Sequence, residues 1–270
     1  ATCAKGFRMV NPRNPLWRFP GLFWVMVFFF AFLYVPIFVL VVLSFNANQV
    51  ATIWTGFSLD WYNVVLNNPN ILRATQNSLV VASISTIIST VVATAAAVGM
   101  AGRKFRGQNV FNGLVGLPLL VPEIVTAVAS LLFFLAIGIQ LGLLTVIIAH
   151  TVFCIPFAYL PIRARLEGLD PKLMEASADL YANPWRTFRR VTLPLLVPGI
   201  VSGAMLAFIT SMDDFVITFF VAGAGATTLP VYIFGMIRIG ITPEVNAIST
   251  LLLAVSVLFV TVSFLIGQRR

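Results

Sequence analysis

Residues 163–193 read RARLEGLDPKLMEASADLYANPWRTFRRVTL, and they are the only long polar stretch in this chain. The 270 residues are 59% hydrophobic and only 10% charged, with a mean hydropathy of +0.98. A soluble domain of this length could not bury so much apolar surface, whereas a lipid bilayer accepts it. The composition therefore predicts an integral membrane protein with one extended polar loop.

Two helix starts are visible within the polar loop. Asp170-Pro171 and Asn183-Pro184 each place a capping side chain before a proline at the first helical position. We expect the first helix to run to about Ala182, and the second, shorter one to end before Pro194. The apolar face of the first helix carries Leu169, Leu173, Ala176 and Leu180. Such a helix, held outside the bilayer, is well suited to docking into a groove on a soluble partner.

Six apolar segments outside this loop are long enough to cross a bilayer, which takes about 20 residues. Each is predicted to be a helix, because lipid-exposed backbone must satisfy its own hydrogen bonds. We place the spans at roughly 21–45, 76–100, 109–135, 141–162, 194–221 and 246–266. The predicted fold class is an all-α membrane protein, with one transmembrane domain over residues 1–270.

The basic residues indicate how these spans are oriented. If the N-terminus is cytoplasmic, 15 of the 17 Lys and Arg residues fall in cytoplasmic segments, and only Arg73 and Arg238 fall outside. Cytoplasmic loops of membrane proteins are enriched in Lys and Arg, so we expect both termini inside. Topology thus accounts for the net charge of +8, and no nucleic-acid partner is expected.

Two outer segments are long enough to have structure of their own. Residues 46–75 carry Trp54, Trp61 and Tyr62, which are typical of an interfacial belt or an entrance. Residues 222–245 contain an apolar stretch that is too short to span, so a re-entrant segment is expected there. Thr242 and Pro243 then mark the start of the last span.

Three acidic residues lie inside predicted spans. Glu123 follows Pro118 and Pro122 in the third span, and Asp213 and Asp214 lie in the fifth. A charge at the centre of a bilayer costs roughly 2.5–3.5 kcal/mol, so such residues face a wet cavity or a partner. Adjacent helical residues point about 100° apart, so we expect one aspartate to face a path and the other a neighbouring helix. Alternatively, the acids pair with Arg238 or cap broken helices.

Other residues within the predicted spans favour a structural role over a catalytic or metal-binding one. His150 has no carboxylate or cysteine as an immediate neighbour, which favours a hydrogen-bonded interior residue over a metal or proton relay. The spacings Gly199-x-x-x-Gly203 and Gly138-x-x-x-Gly142 allow helices to approach closely. No phosphate-binding loop, nucleophile–base pair or metal-ligand cluster is recognisable in the sequence, so we do not expect an enzyme.

The polar loop resembles the EAA loop of binding-protein-dependent ABC importer permeases. Glu175-Ala-Ser177, Asp179-Leu180 and the later Leu193-Pro194 carry the likeness, although the family's usual glycine is replaced by Tyr181. In that family this loop forms coupling helices that sit on the ATPase subunits. The resemblance therefore implies that ATPase coupling rests on Asp170, Leu173, Glu175, Ala176, Ser177, Leu180 and Tyr181.

The likeness extends over the whole chain, to the spermidine/putrescine permease subunits and most of all to their second, C or I, type. It is carried by LYVPIFVLVVLSFN at 33–46, FRG at 105–107, LPLLVPEIV at 117–125, SMDDFVITFFVAG at 211–223 and TPEVNA at 242–247. In that family the matching positions are implicated in substrate passage, which implies a path along Trp61, Glu123, Ser211, Asp213 and Asp214.

The resemblance also implies the partners of this chain. They are a second homologous permease, a dimer of ATPase subunits, a periplasmic solute-binding protein and the bilayer of a bacterial inner membrane. ATP and Mg²⁺ are expected on the ATPase, and neither a cofactor nor a metal is expected in this chain.

Carboxylates along the path suit a polyamine, whose ammonium groups are separated by methylenes that can lie on aromatic surface. Two readings stay open beside this one. The first is an ABC importer for another cationic solute, such as an opine or an amino acid. The second is an ion-coupled secondary carrier with Glu123 and Asp213 as the ion site, which would need no ATPase. A membrane-embedded enzyme has no catalytic grouping to support it.

Overall fold

The computed structural model describes residues 21–50, 53–101, 106–170, 172–240 and 242–268. The two chain ends, on which the predicted cytoplasmic orientation partly rests, lie outside these ranges, as do Arg103, Lys104 and Pro171.

The described residues are mostly helical, which confirms the predicted all-α class. An isolated bridge between Asn46 and Phe57 is the only β pairing among them. The helices are α1 (Leu22–Leu43), α2 (Asp60–Asn67), α3 (Pro69–Met100), α4 (Gln108–Leu120), α5 (Glu123–Ala136), α6 (Leu143–Glu167), α7 (Lys172–Asp179), α8 (Pro184–Thr187), α9 (Leu193–Asp213), α10 (Val216–Val221), α11 (Leu229–Ile239) and α12 (Pro243–Gln268).

The described residues account for four or five of the six predicted spans. Four helices in the described residues are long and apolar enough to cross a membrane: α1, α3, α6 and the helix over Pro184–Asp213. The pair α4 and α5 makes a fifth if it is one broken span. α12, Pro243–Gln268, is a helix of 26 residues at the position of the predicted sixth span, 246–266.

The predicted third span, 109–135, is not one continuous helix. Its two halves meet at a bend of 106°, between Leu120 and Glu123. Pro118 lies inside α4 without ending it, whereas Pro122 precedes α5. A residue before proline is forced towards extended backbone, and Val121 indeed has a ψ of 132°. Glu123 therefore begins a new helix at a corner, instead of lying in the middle of a span.

The helices observed at the predicted fifth span, 194–221, differ from the prediction at both ends. The second loop helix does not end before Pro194: α8 continues through a π-helical turn, Phe188–Thr192, directly into α9. A proline removes one helical hydrogen bond, and the wider π turn next to it accommodates that loss. At the other end α9 stops at Asp213, and α10 begins only at Val216.

The centre of the bundle is formed by α3, α6 and α9. Gly199 and Gly203 let α9 lie directly against α6, because a Cβ at Gly203 would come within 2.5 Å of the Ala158 carbonyl oxygen. This confirms the first of the two small-residue motifs. The second is wrong as a helix-packing motif, since Gly138 and Gly142 lie in the loop between α5 and α6, and a Cβ added at either would meet nothing within 4 Å.

The two outer segments lie together, at the end of the bundle away from α7. Asn77 on α3 donates to the carbonyls of Gly225 and Thr227, at 2.9 and 3.0 Å. The backbone N–H of Leu229 donates to Ser78 at 2.8 Å. α11 is the short helix expected in residues 222–245, and α2 packs beside α11 and α12 at this end.

Candidate functional site

A break in the fifth span places two aspartates in different surroundings. α9 ends at Asp213, and Asp214 leaves the helix with a ψ of 127°. The Asp214 carboxylate then caps α10, because it accepts from the backbone N–H groups of Ile217 and Thr218 at 3.3 and 3.0 Å. Asp213 is exposed, whereas Asp214 is buried.

His150 of α6 contacts residues on both sides of this break. Its Nδ1 lies 2.8 Å from the Ser211 hydroxyl, and its Nε2 lies 2.9 Å from the Thr218 hydroxyl and 3.0 Å from Asp214 Oδ2. The Thr218 hydroxyl itself donates to Asp214 Oδ2 at 3.0 Å. We refer to His150, Ser211, Asp214 and Thr218 as the histidine network.

The histidine network satisfies the buried carboxylate of Asp214. Two backbone N–H groups, the Thr218 hydroxyl and the His150 Nε2 surround it, and a carboxylate without such donors would be costly to bury. The alternative role as a helix cap therefore holds for Asp214. The other alternative, a pairing with Arg238, is not observed: the ion pairs among the described residues are His150–Asp214 and Arg163–Glu167.

Glu123 lies beside Asp214. The two carboxyl groups lie close enough for their charges to interact, and the charge of Asp213 also acts on Glu123. Glu123 is half-buried at the first position of α5, and α5 packs against α10 and α6. Two broken helices thus bring three carboxyl groups near one another, with Asp214 buried, Glu123 half-buried and Asp213 exposed.

The predicted path residues divide into two groups. The structure brings together Glu123, Ser211, Asp213 and Asp214, but Ser211 faces inward to His150 and is only 5% exposed. Trp61 lies apart from them at the outer end, where it packs beside α11 and α12. Its indole N–H donates to the Asn46 carbonyl at 2.9 Å.

The histidine network is the part of the site that sequence reasoning missed. His150 was expected to be a hydrogen-bonded interior residue, and this is confirmed, but its partners were not identified. A lone polar side chain in an apolar span requires a polar partner at the same depth in the membrane. The stretch Ser211–Thr218 contains several polar side chains, so the sequence offered it as the partner of His150.

The order Ser211, His150, Asp214 also resembles the hydrogen-bond order of a hydrolase triad. The Ser211 hydroxyl and the His150 ring are buried, however, so no substrate reaches the hydroxyl in this structure. Within the described ranges, no group of three or more His, Cys, Asp or Glu residues could hold a metal ion.

The helix of the polar loop, α7, lies at the opposite end of the bundle. Asp170 accepts from the Lys172 N–H at 3.0 Å, as expected of a cap, and the helix ends at Asp179 instead of about Ala182. Ser177 is its one buried residue, because its hydroxyl lies 3.1 Å from that of Thr187 in α8. Of the predicted coupling residues, all but Ser177 are exposed, namely Asp170, Leu173, Glu175, Ala176, Leu180 and Tyr181.

Tyr181 forms the tight turn that a glycine would ordinarily supply. Its φ is +52°, in the left-handed region, and its side chain is 96% exposed. The Tyr181 N–H donates to the Ala178 carbonyl and the Ala182 N–H to the Ser177 carbonyl, at 2.9 and 3.1 Å. These two bonds make a Schellman turn, so the replacement of glycine does not abolish the turn.

One continuous helix connects α7 to the aspartates. The segment Pro184–Asp213 has 30 residues, which corresponds to about 45 Å of helix. Its first turn is capped by Asn183, whose side chain accepts from the Arg186 N–H at 2.7 Å. Arg165 on α6 donates to the Leu195 carbonyl at 3.0 Å near the same end. Thr187, whose hydroxyl contacts Ser177 of α7, and Asp213 therefore belong to the same helix.

Comparison with known proteins identifies the family. Residues 89–270 match the family described as binding-protein-dependent transport system inner membrane component. The spermidine/putrescine transport system permease protein PotC of Escherichia coli (strain K12) is 37% identical over 245 residues, which cover 91% of this chain and 93% of the relative. The putrescine transport system permease protein PotI of the same strain is 38% identical over 246 residues, 88% of each chain.

Solved structures agree on the fold. A bacterial ABC transporter involved in the import of the acidic polysaccharide alginate has a TM-score of 0.68 at 16% identity, with 96% of this chain and 98% of that chain covered. The inward-facing MetNI methionine ABC transporter has a TM-score of 0.63 at 22% identity, with 79% and 99% covered. The chain therefore belongs to the family of binding-protein-dependent transport system inner membrane components, the permease subunits of ABC importers, and not to an enzyme family.

Proposed function

We propose that this chain is one of two permeases that carry polyamines, putrescine or spermidine, into the cytoplasm of a bacterium. The observation that carries the proposal is the meeting of Glu123, Asp213 and Asp214 at two helix breaks. Neighbouring carboxyl groups repel each other unless a proton or a cation lies with them, so this place favours a cationic solute and disfavours an anion. The names of the two Escherichia coli relatives support the polyamine class.

The path runs past the exposed Asp213 and the half-buried Glu123, with the second permease closing its other side. Asp214 does not line the path; it attracts the cation as a buried negative charge within the histidine network. Trp61 at the outer end offers an aromatic surface to the methylenes of the substrate. Each site holds the solute only modestly, because conduction requires release as well as binding.

Energy comes from partner ATPase subunits that bind ATP and Mg²⁺ and rest against the exposed face of α7, on the cytoplasmic side. Closure of these subunits moves α7, and the Ser177–Thr187 contact passes the motion to the helix over Pro184–Asp213. Nucleotide state thus shifts the population between outward and inward access. A periplasmic binding protein delivers the solute to the outer end, and both termini lie in the cytoplasm.

Uptake of labelled putrescine and spermidine by cells with the complete system tests the substrate. The Asp213→Asn variant should raise the half-saturating concentration by about tenfold, the worth of a hydrogen bond to a charged group. Asp60→Asn, which removes an exposed carboxylate on α2, is the matched control and should have no effect. Unchanged uptake in Asp213→Asn, or a wild type that carries only another cation, would contradict the polyamine path.

Co-purification with the ATPase tests the coupling. Glu175→Ala on α7 should weaken assembly with the ATPase and reduce ATP-driven uptake. The control is Glu167→Gln, which removes a surface ion pair to Arg163 outside α7 and is worth at most about 1 kcal/mol. If Glu175→Ala left both assembly and uptake unchanged, the coupling role of α7 would be wrong.

A further inference from the structure

The imidazole of His150 connects the two sides of the helix break. Ser211, which its Nδ1 contacts, lies in the last turn of α9, whereas Thr218, which its Nε2 contacts, lies in α10. The ring is 1% exposed and reaches both helices from α6. Since the backbone at Asp214 is extended, side-chain contacts are what hold α9 and α10 at their relative angle here.

The surroundings of the carboxyl groups depend on that angle. Asp213 is the last residue of α9 and Asp214 caps α10, so a rotation between the two helices would move one carboxyl group relative to the other. Such a rotation would also move Asp214 relative to Glu123 on α5. The contacts made by His150 oppose both movements.

We infer that His150 is a positioning residue for translocation, which holds the α9–α10 break so that Asp213 stays exposed and Asp214 stays beside Glu123. It acts through Asp214 and Ser211 and does not itself touch the solute, because its ring is buried. This inference rests on the proposed function and adds a residue to it.

A purely space-filling histidine is the competing explanation, and two partial mimics separate it from a positioning role. The terminal amide of glutamine reaches about as far as Nε2, so His150→Gln can keep the contact with Asp214 and lose the one with Ser211. The shorter asparagine matches Nδ1, so His150→Asn can keep Ser211 and lose Asp214. His150→Leu keeps most of the volume and loses both contacts.

The experiment measures KM and maximal rate of putrescine uptake by the complete wild-type system and by these three variants. His150→Leu should raise KM by about tenfold, as expected for loss of a hydrogen bond to a charged group, with a smaller fall in maximal rate. His150→Gln should recover most of the wild-type KM and His150→Asn little of it, because the Asp214 contact fixes the carboxyl pair. The neighbouring Thr151→Val, which removes a hydroxyl bonded only to the Ile147 carbonyl of its own helix, is the control and should leave KM unchanged.

A double-mutant cycle distinguishes a positioning role from a space-filling one, because only a positioning role couples the effects of two substitutions on KM. Asp213 and His150 are not hydrogen-bonded to each other, so their effects on KM should add if His150 only fills space. If His150 positions the carboxyl groups, Asp213→Asn should cost much less in the His150→Leu background than in the wild type.

Three results would overturn the inference: an unchanged KM in His150→Leu, additive effects in the cycle, or failure of all three His150 variants to assemble with the ATPase. The last would make His150 a requirement for folding only. A wild-type system that takes up neither putrescine nor spermidine would instead overturn the proposed function, so the two failures are distinguishable.

Discussion

Asp213 and Asp214 are adjacent residues whose substitutions should have different consequences. Asp214 accepts four hydrogen bonds inside the histidine network, whereas Asp213 is exposed at the end of α9. Asparagine at position 214 would turn one accepting oxygen into a donor that faces other donors. Asp214→Asn should therefore lower the free energy of unfolding by about 1–3 kcal/mol, against less than about 0.5 kcal/mol for Asp213→Asn.

Thermal melting of the purified complex in detergent measures this difference. The midpoint of Asp214→Asn should fall clearly below that of Asp213→Asn, although both variants remove one negative charge. Equal midpoints would mean that the burial of Asp214 contributes nothing to stability, and would contradict the histidine network as a structural element.

Tyr181 gives a second prediction at the scale of one residue. A residue with a Cβ pays roughly 1–2 kcal/mol in the left-handed conformation, which glycine adopts freely. Tyr181→Gly should therefore stabilise the turn after α7 and slow hydrogen exchange of the Ala182 amide, which donates to Ser177, by about fivefold for 1 kcal/mol. Tyr181→Ala keeps the Cβ and should show no such protection. Faster exchange of the Ala182 amide in Tyr181→Gly would contradict the claim that the left-handed backbone at position 181 is strained.

At the scale of elements, α6 and α9 approach so closely that one position, Gly203, has no room for a side chain. A Cβ at Gly203 would lie 2.5 Å from the Ala158 carbonyl oxygen, and neither backbone can move without separating the helices. Gly203→Ala should therefore destabilise the bundle by about 1–3 kcal/mol, as overpacking does, and lower its melting temperature.

The control for this change is Gly235→Ala in α11. Gly235 lies inside a helix with nothing within 4 Å of the added Cβ, so alanine should be neutral or stabilise α11 by up to about 1 kcal/mol. If Gly203→Ala and Gly235→Ala melted at the same temperature, the close contact between α6 and α9 would be disproved.

The element that joins the two functional ends is the helix over Pro184–Asp213. The sequence indicates its start through Asn183-Pro184, but also suggests an interruption before Pro194 that is absent. The π turn at Phe188–Thr192 removes that interruption, and local propensity rules do not foresee it. The proposed coupling would therefore act through one continuous helix instead of two.

At the scale of the whole molecule, three packing clusters lie along the bundle among the described residues. One joins α2, α3, α11 and α12 at the outer end, one joins α3, α5, α6 and α10 around the broken helices, and one joins α3, α6 and α9 towards α7. α1 contributes no buried residue, and it contacts α12.

Transport at this scale should require the other subunits. Proteoliposomes with this chain alone should show no putrescine uptake driven by a proton or sodium gradient, since the family works as one component of a binding-protein-dependent system. Adding the second permease, the ATPase, the binding protein and ATP should restore uptake. Gradient-driven uptake by the isolated chain would instead favour the secondary carrier.

The sequence by itself determined the class of protein and the position of its polar loop. Apolar runs of about 20 residues predict helices in lipid wherever they occur, and capping residues such as Asp170 and Asn183 act on the backbone within one turn. These are short-range effects. The family resemblance and the three acidic positions were likewise readable along the chain, because they depend on residue identity alone.

Only the tertiary structure decided which aspartate is buried, and it did so through residues far apart in sequence. His150 and Asp214 are 64 positions apart, yet their contact selects Asp214 as the inward-facing carboxylate. A helical wheel separates the two aspartates but cannot tell which one turns inward, and the backbone leaves the helix at Asp214 in any case. The bend at Pro122 and the meeting of Glu123 with Asp214 have the same origin, because a broken helix is stable only where neighbouring helices satisfy its free polar groups.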